Sequence, residues 1–501
     1  MSSPRTYDAV IIGAGHNGLT TAGYLARAGL KVKVLERRPV VGGAAVTEEF
    51  YPGFRNSVCS YVVSMLSPEV IKDLELERYG LQLIKRASGM MSALPNGKHL
   101  IISRDQKATH AEISKFSVAD ADRHAAFEEE IDQMALIFRK LANERPPNIG
   151  GGITELFYAL KTGSTLWRLS SAEMEKLTSL MTMSLGDYLN NWFESDEVKG
   201  YYAGDGATGD FSHPYSAGSA YILLHHAFGM INGELGAWWH SKGGMGGITQ
   251  AMAKSATAQG VEIEISCPVA KVITDNGVAS GVVLEDGCII HAKTVAANCT
   301  PKLLFMKLMD PASLPADFLQ RIKNWRCKSG SFRMNVALSE LPKITSLAGV
   351  EGAEAHMQRS ININPSIAYM ERAWIDARTY GFSKHPYVSM NIPSLIDNTL
   401  APKGMHVASL FCQHFNPDLP EATSWDQLKS QAIETIIDTV TAIAPNFRKS
   451  ILGFQALSPL DLEREFSLTG GDIFHGALHL DQLYSLRPAA GYADYRTPVK
   501  N

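Results

Sequence analysis

Three glycines near the N-terminus are spaced to bring a peptide backbone against a phosphate group. Gly13, Gly15 and Gly18 form a Gly-x-Gly-x-x-Gly turn between an apolar run at residues 8–12 and a stretch of helical composition at residues 19–28. The first glycine permits a tight turn, the second lets the backbone approach a pyrophosphate, and the third lets helix and strand pack closely. The free N–H groups at the helix start then attract the anion. The pattern predicts a dinucleotide-binding turn.

An acidic residue stands where such a unit would meet an adenosine. Glu36 lies 23 residues after Gly13 and ends a second strand pattern at residues 31–36. A carboxylate at the end of that strand is placed to accept hydrogen bonds from ribose hydroxyls. The strand, glycine turn, helix and acid together favour a dinucleotide-binding βαβ unit over a glycine-rich turn of purely structural use.

A second glycine pair, Gly42 and Gly43, follows the acid after Arg37 and Arg38. The pair indicates another close approach of the backbone to the same cofactor, whereas an NAD-binding domain would continue into its next helix. The alternative for the two arginines is a solvated pair of charges. The pattern Glu-x-Arg-x-x-x-Gly-Gly resembles the extended fingerprint of the amine-oxidase-like and carotenoid-desaturase flavoproteins, and this resemblance implies FAD as the cofactor.

Later segments resemble the same superfamily. Residues 243–247 form a glycine cluster before a helical stretch, and residues 294–301 resemble the strand that returns to the nucleotide-binding sheet. Residues 42–49 and 470–475 resemble one group within it, the pyridine nucleotide-disulphide oxidoreductase domain-containing proteins, which are relatives of bacterial phytoene desaturases. The resemblance covers nearly the whole chain and implies that the backbone of Val269 contacts adenine.

The residues that we assign to FAD belong to the two glycine turns, the acid, the arginines and the adenine contact: Gly13, Ala14, Gly15, Asn17, Gly18, Glu36, Arg37, Arg38, Gly42, Gly43, Ala44 and Val269. The sequence identifies no catalytic residue. Lys242, just before a glycine cluster, and His475, just after another glycine pair, are candidates, although structural roles are commoner for such residues. Ser60 and Tyr61 are candidates for substrate contact. The histidines and cysteines lack metal-ligand spacing, so we expect no metal site.

The elements that position these residues follow a mixed α/β pattern. The pattern is mostly helical at residues 65–240. Strands are expected, in chain order, at residues 8–12, 31–36, 261–265, 269–274, 279–284, 288–292, 294–298, 329–338, 387–392 and 405–412, and a helix at residues 427–443. Apolar runs bounded by glycine turns are typical of buried parallel strands, and the Asp-Gly pair near residue 286 is typical of a hairpin.

This order of elements predicts a Rossmann-like FAD-binding domain with a parallel sheet, into which an α+β substrate domain is inserted. The FAD-binding domain takes residues 1–75, 240–300 and 446–501. The substrate domain takes residues 76–239 and 301–445.

Composition narrows the function classes. With 47 Lys+Arg against 51 Asp+Glu, the formal net charge is −4, which leaves no basic footprint for nucleic acid. The six cysteines form no Cys-x-x-Cys pair, so we expect neither a disulfide framework nor a dithiol redox centre. No apolar run reaches the ~20 residues of a membrane-spanning helix, and the first residues show no presequence pattern. A peripheral membrane contact stays compatible with the sequence, because it needs only an apolar surface patch.

These observations predict an FAD-dependent oxidoreductase, related to phytoene dehydrogenases, in which a small or apolar substrate gives a hydride to the flavin. One alternative is a carotenoid or isoprenoid desaturase or isomerase at a membrane surface. Another is a non-catalytic flavoprotein that acts through a protein partner. The resemblance implies the mitochondrial matrix for a eukaryotic source, an influence on mitochondrial function and a cytochrome c oxidase subunit as a partner, and it implies the cytoplasm for a bacterial source.

The end of the sequence carries a further expectation. In the superfamily, a segment like residues 492–498 continues into a strand and a glycine-rich turn beside the flavin ring. The sequence stops at Asn501. The resemblance therefore implies a flavin site with one wall missing, weak FAD binding and little turnover.

Overall fold

A computed structural model describes residues 6–148, 151–420 and 423–501, apart from the side chain of Asn96. The start of the first predicted domain, residues 1–5, lies outside these ranges. The strands in chain order are β1 Tyr7–Ile12, β2 Val32–Leu35, β3 Thr47–Tyr51, β4 Phe54–Ser57, β5 Leu83–Lys85, β6 Met90–Ala93, β7 His99–Ile102, β8 Met230–Ile231, β9 Glu234–Leu235, β10 Trp239–Ser241, β11 Glu262–Glu264, β12 Val269–Asp275, β13 Val278–Leu284, β14 Ile289–Ala297, β15 Phe332–Leu338, β16 Ser360–Ile363, β17 Phe382–Asn391, β18 His406–Phe415 and β19 Ile451–Leu457.

The helices connect and cover these strands. In chain order they are α1 His16–Arg27, α2 Pro68–Asp73, α3 Gln106–Ser114, α4 Val118–Ala142, α5 Ile153–Trp167, α6 Ser171–Thr182, α7 Leu185–Trp192, α8 Asp196–Ala207, α9 Tyr221–Ala227, α10 Gly246–Ala258, α11 Pro301–Leu303, α12 Ala316–Asn324, α13 Ala353–His356, α14 Ile367–Tyr380, α15 Trp425–Ile443, α16 Phe447–Ser450 and α17 Pro459–Phe466. None of the helices in the described ranges combines the length and the apolar composition needed to cross a membrane.

The first layer is a six-stranded sheet with the strand order β11-β2-β1-β14-β13-β12. The four strands β11, β2, β1 and β14 run parallel to one another. β13 pairs antiparallel with β14, and β12 pairs antiparallel with β13. In β1, Ala9 and Ile11 pack under α1 and α10, while Val10 and Ile12 pack on the opposite face against Phe318. This burial on both faces explains the continuous apolar run in the sequence. The parallel βαβ unit confirms the prediction of a Rossmann-like fold.

One strand of this sheet replaces two predicted ones. The sequence predicts separate strands at residues 288–292 and 294–298, whereas β14 runs unbroken through both. Its first part pairs with β13 and its second part with β1. The polar residues His291 and Lys293 do not interrupt it, because they occupy exposed positions that alternate with the buried Ile290 and Ala292.

The second layer is a seven-stranded sheet with the order β19-β15-β18-β17-β16-β6-β7. Along β15 to β18, successive side chains point to opposite faces of this sheet, and the two faces differ in polarity. On one face, side chains such as Phe332 and Met334 pack with Ile436 and Ile437 of α15 in an apolar core. The opposite face is also buried but polar. We call it the polar face, and it comprises Arg333, Asn335, Ser360, Asn362, Ser389, Asn391, Ser409 and Gln413. On this face, Asn335 Nδ2 donates at 3.1 Å to the carbonyl of Ser57, the last residue of β4.

Helices α3 to α9 fill much of the region at residues 65–240, as the sequence predicts. The same region also contains the short strands β5 to β10, which the prediction misses. Strands of two to four residues carry too few alternating positions to be recognised from periodicity. β6 and β7 matter for the fold, because they complete one edge of the seven-stranded sheet.

The predicted domain boundaries stay a prediction, and two segments pack across them. Residues 301–324, assigned to the substrate domain, pack on the six-stranded sheet through Phe305 and Phe318. β19, assigned to the FAD-binding domain, is an edge strand of the seven-stranded sheet. At the end of the chain, the Val295 N–H donates to the Asn501 carbonyl at 2.7 Å.

Candidate functional site

The first glycine turn joins β1 to α1 and leaves no room for side chains. Gly13 has a φ of +95°, in the region that favours glycine. A Cβ on Gly15 would lie 2.7 Å from Asn298 Nδ2, and a Cβ on Gly18 would lie 2.2 Å from the Gly13 carbonyl oxygen. Gly18 therefore lets α1 pack against the end of β1, and Gly15 keeps bare backbone at the start of the helix, where N–H groups can meet an anion.

The second glycine pair lies directly on the first turn. Gly42 forms a β-bridge with Gly15, and its N–H donates to the Ala14 carbonyl at 2.9 Å. A Cβ on Gly43 would lie 3.3 Å from the Gly15 Cα. Two turns that are distant in sequence thus form one concave surface of backbone. We call it the glycine cradle, and it comprises Gly13, Gly15, Gly18, Gly42 and Gly43.

Glu36 lies beside this cradle and is buried. Its Oε2 accepts from the Ala14 N–H at 2.8 Å, and its Oε1 accepts from the Arg38 N–H at 2.9 Å. Each carboxylate oxygen keeps a further lone pair, so the side chain can bind the turn and a ribose hydroxyl together. The Cys267 N–H donates to the Glu36 carbonyl at 2.8 Å, which brings the segment leading to Val269 next to the acid.

The side chains of the two arginines after Glu36 point in different directions. Arg37 is exposed and donates to the carbonyl of Arg464 in α17 at 3.1 Å. Arg38 turns inward, donates to Glu48 at 2.8 Å and stacks 4.5 Å from the centre of the Phe466 ring. Its Nη1 is buried and has no hydrogen-bond partner among the described residues. A buried cationic donor without a partner fits a phosphate oxygen.

The remaining predicted residues include two beside the cradle, Asn17 and Ala44, and the two catalytic candidates, Lys242 and His475. Asn17 is exposed on the first turn of α1, and Ala44 continues the chain from Gly43. Lys242 is exposed just after β10. His475 is exposed on a turn with a φ of +57°, where its carbonyl accepts from Trp325 Nε1 at 3.2 Å. Catalytic roles for Lys242 and His475 stay predictions.

A second group of polar side chains lines a narrow cavity at the polar face. We call it the polar cavity, and its lining includes Asn56, Tyr61, Arg86, His240, Gln358, Asn391 and Ser409. Of these residues, only Tyr61 is predicted from the sequence as a substrate contact. The others come from distant parts of the chain and share no local motif. The one available signal is polar residues alternating with apolar ones in strands that are buried on both faces.

Two cations dominate the electrostatics of this cavity. Burial lowers the pKa of Arg86 to about 10 and also lowers the pKa of Arg333, so both stay charged at neutral pH. The Arg333 guanidinium lies 4.6 Å from the centre of the Tyr61 ring and donates to Ser409 Oγ at 2.8 Å. Burial raises the pKa of Tyr61, although both arginines oppose that rise. The phenol is therefore neutral at ordinary pH.

The lining of the cavity also contains a histidine that is hydrogen-bonded to a buried carboxylate. His240 Nε2 lies 2.9 Å from Asp397 Oδ2, which also accepts from the Gly243 N–H at 2.7 Å. Asp397 Oδ1 accepts from Thr399 Oγ1 at 2.6 Å. Burial opposes ionisation here, but these hydrogen bonds prevail and hold the pKa of Asp397 below its usual range. The carboxylate is therefore ionised and fully engaged by its own donors.

The first site fits the adenosine diphosphate part of FAD. The cradle has no Cβ atoms where a pyrophosphate would approach, Glu36 has free lone pairs for a ribose, and Arg38 has an unused donor among the residues that the structure describes. Asn298, which is not among the residues predicted for the site, lies under all three glycines of the first turn. Because Asn298 ends the predicted strand at residues 294–298, its position in the sequence could have indicated that it lies at the site.

Comparison with known proteins agrees with this geometry. Residues 18–332 match the family model described as flavin containing amine oxidoreductase. The chain is 38% identical, over 99% of its length and 88% of the relative, to pyridine nucleotide-disulfide oxidoreductase domain-containing protein 2 of Rattus norvegicus. It is 24% identical to one of the subunits of limonene dehydrogenase from Castellaniella defragrans, over 100% of this chain and 90% of that one.

The solved structures agree on the fold. An oxidoreductase from Methanosarcina mazei superposes with a TM-score of 0.57 at 17% identity, over 90% of this chain and 87% of that one. Together with the family match, this similarity confirms the predicted fold class and FAD as the cofactor.

Proposed function

Because this chain belongs to the flavin containing amine oxidoreductase family, we propose that it is an FAD-dependent dehydrogenase that acts on a C–C or C–N bond of a small organic substrate. When bound, FAD supplies the acceptor for the hydride. The chain itself holds the cofactor at the glycine cradle and binds one end of the substrate at the polar cavity.

One connection carries this proposal. Ala44 directly follows the cradle residue Gly43, and its carbonyl accepts from the Ser60 N–H at 3.0 Å. The next residue, Tyr61, lines the polar cavity. The cofactor loop and the substrate cavity are therefore linked by a hydrogen bond and one peptide unit. Hydride transfer needs its two reactants held at near contact, and this link supports such an arrangement.

The direct test is an anaerobic titration of the FAD-loaded protein with a substrate panel of amines, organic acids and isoprenoid alcohols. We expect at least one class to remove the absorbance of the oxidised flavin. A Gly15→Val protein mixed with the same FAD is the matched control, because free flavin must not respond. A protein that holds FAD and responds to no member of a broad panel would instead favour the non-catalytic alternative.

An isoprenoid desaturase or isomerase at a membrane surface is a second candidate, and α5 favours it. Large apolar side chains on this helix are 59 to 90% exposed: Ile153, Leu156, Phe157, Leu160 and Trp167. Their spacing of three, four and seven residues puts most of them on one helical face. Exposed apolar patches of this kind mark contacts with membranes or proteins. The likeness to a protein named for limonene supports an apolar substrate body.

Vesicle flotation tests this candidate. The wild-type protein should float with vesicles of anionic phospholipid, and the double variant with Phe157→Ser and Leu160→Ser should not. Val118→Ser is the matched control, because Val118 is also exposed but lies on α4. Equal flotation of all three proteins would remove α5 as a membrane contact. The mitochondrial matrix as the compartment and a cytochrome c oxidase subunit as a partner stay predictions.

A further inference from the structure

Two buried arginines, Arg333 on the polar face and Arg86 beside it, have charges that no nearby side chain neutralises. Arg86, just after β5, is 9% exposed, and Arg333 in β15 is 2% exposed. Across the described ranges, neither guanidinium is within ion-pair distance of a carboxylate, and their hydrogen bonds go to neutral oxygens. A buried cation is costly unless an anion or a full set of acceptors replaces its water. The oxidation proposed above does not by itself require such cations.

Arg86 leaves one side of its guanidinium unused. Its Nη2 donates to Asn391 Oδ1 and, at 3.5 Å, to Ser360 Oγ. Because a guanidinium can only donate, this contact fixes the amide oxygen of Asn391 toward Arg86 and turns Nδ2 away. Ser360 Oγ donates to the same amide oxygen at 2.7 Å. Arg86 Nη1 and Asn391 Nδ2 are then buried donors that have no acceptor in the part of the chain that the structure describes.

Both side chains line the polar cavity, and the groups around them leave positive charge in excess. The carboxylate of Asp397 is engaged by His240, Thr399 and the Gly243 N–H, so it does not serve as the partner of Arg86. Arg333 lies behind Tyr61 and adds to the positive potential. Two unpartnered donors and an uncompensated cation at one cavity are the complement of an anion.

We propose that this cavity binds a carboxylate group of the substrate, with Arg86 Nη1 and Asn391 Nδ2 as its donors. Arg333 is a positioning residue that holds Tyr61 through ring stacking and strengthens the field at the anion. The inference rests on the function proposed above, because it names the chemical class of that substrate as an organic acid.

The cavity has room for one oxygen atom of an anion. Its free volume is about 10 Å³, the room of about one water molecule. We therefore expect one carboxylate oxygen to enter it and the rest of the substrate to lie outside.

The experiment measures, by calorimetric titration of the FAD-loaded protein, the affinity for straight-chain carboxylates from acetate to decanoate. The primary alcohol of each length is the matched neutral probe. We expect each carboxylate to bind at least tenfold more tightly than its alcohol. Arg86→Gln should abolish that preference and leave the alcohol affinities unchanged, whereas Arg104→Gln, a change at an exposed arginine paired with Glu234, should preserve it. Equal affinities in the wild type, or a preference that survives Arg86→Gln, overturns the proposal.

A second variant keeps the test decisive if Arg86→Gln does not fold. Asn391→Asp places a carboxylate beside Arg86 and neutralises it internally, so it should remove carboxylate binding and raise the unfolding temperature. Carboxylate binding that persists in Asn391→Asp overturns the proposal. Inorganic phosphate is the further probe, and phosphate that binds as tightly as acetate overturns the assignment of a carboxylate.

Titration of the apoprotein with FAD separates a substrate site from a flavin site. The proposal expects the same FAD affinity in the wild type and in Arg86→Gln. A tenfold loss of FAD affinity with an unchanged carboxylate preference would assign the cation to the flavin and overturn the proposal. A protein that binds carboxylates selectively but never loses its oxidised-flavin absorbance supports this site while contradicting the proposed oxidation, so the two failures are distinguishable.

Discussion

The glycine cradle and the polar cavity both offer hydrogen-bond donors to a ligand, but they produce those donors in different ways. In the cradle, Gly15 and Gly43 expose backbone where a strand ends and a helix begins. In the cavity, Arg86 and Asn391 are side chains held by a buried sheet face. The first arrangement is local and is fixed by the βαβ unit. The second depends on the packing of distant segments, so it can change with the substrate while the fold stays the same.

The largest loss of FAD affinity is expected from adding a side chain to the bare backbone of the glycine cradle. Gly15→Val places a branched side chain against Asn298 and over the start of α1, so FAD affinity should fall by at least about 100-fold, or ~3 kcal/mol. Fluorescence titration with FAD measures the loss, and circular dichroism checks the fold. Gly163→Ala, with no atom within 4 Å of the added Cβ, is the matched control. Full FAD binding by Gly15→Val would show that the turn is only structural.

A smaller effect is expected at the acid beside the cradle. Glu36→Ala removes the acceptor for the Ala14 and Arg38 N–H groups and the proposed ribose contact, so FAD affinity should weaken by about 1–3 kcal/mol. Glu49→Ala, at an exposed carboxylate of β3, should leave the affinity unchanged. If the two variants bind FAD equally, the ribose assignment is wrong.

Helix α8, which supplies no residue to the cradle or to the lining of the cavity, should make the stability of the protein depend on pH. Burial, and then the charge of Glu128, raise the pKa of Asp205 in α8 from 3.8 to about 7. The folded protein therefore holds this proton more tightly than the unfolded chain. The stabilisation is complete below about pH 4 and is lost as pH rises to about 7, with a slope of up to about 1.4 kcal/mol per pH unit.

Urea unfolding across that pH range measures the slope. Asp205→Asn should flatten it, because the variant has no proton to lose at this position. Asp196→Asn, at an exposed position of the same helix, should not. An identical slope in all three proteins would mean that Asp205 is hydrated in solution.

The smallest change in FAD affinity is expected at the two adjacent arginines, Arg37 and Arg38, and only one of them should show it. Arg38→Gln removes the unpartnered inward donor, and we expect FAD affinity to fall by about 1.5 kcal/mol, the low end of the range for a hydrogen bond to a charged group. Arg37→Gln removes only a contact with the backbone of α17 and should leave FAD binding as it is. Equal losses in both variants would indicate a diffuse effect of charge, and the reverse order would contradict the placement of Arg38.

The two regions also differ in how far the sequence predicts them. The βαβ unit was predictable because Gly13, Gly18 and Glu36 act through local geometry, and the resemblance extended this to Gly42 and Gly43. The polar cavity was not predictable, because Arg86 lies in a short connection and reaches Asn391 only through the pairing of β6, β16 and β17. β6 and β7 were not predicted within the region of mostly helical pattern. Strands that short are stabilised by pairing with their neighbours and not by their own sequence pattern.

The function proposed above requires that the cradle and the cavity form one active site. The most direct test is the absorption spectrum of the FAD-loaded protein during titration with the carboxylate that binds most tightly. We predict a saturable shift of the flavin band in the wild type, with the dissociation constant found by calorimetry, and no shift in Arg86→Gln at the same concentrations. Tight carboxylate binding that leaves the flavin spectrum unchanged would contradict a single active site, because it would place the anion site away from the cofactor.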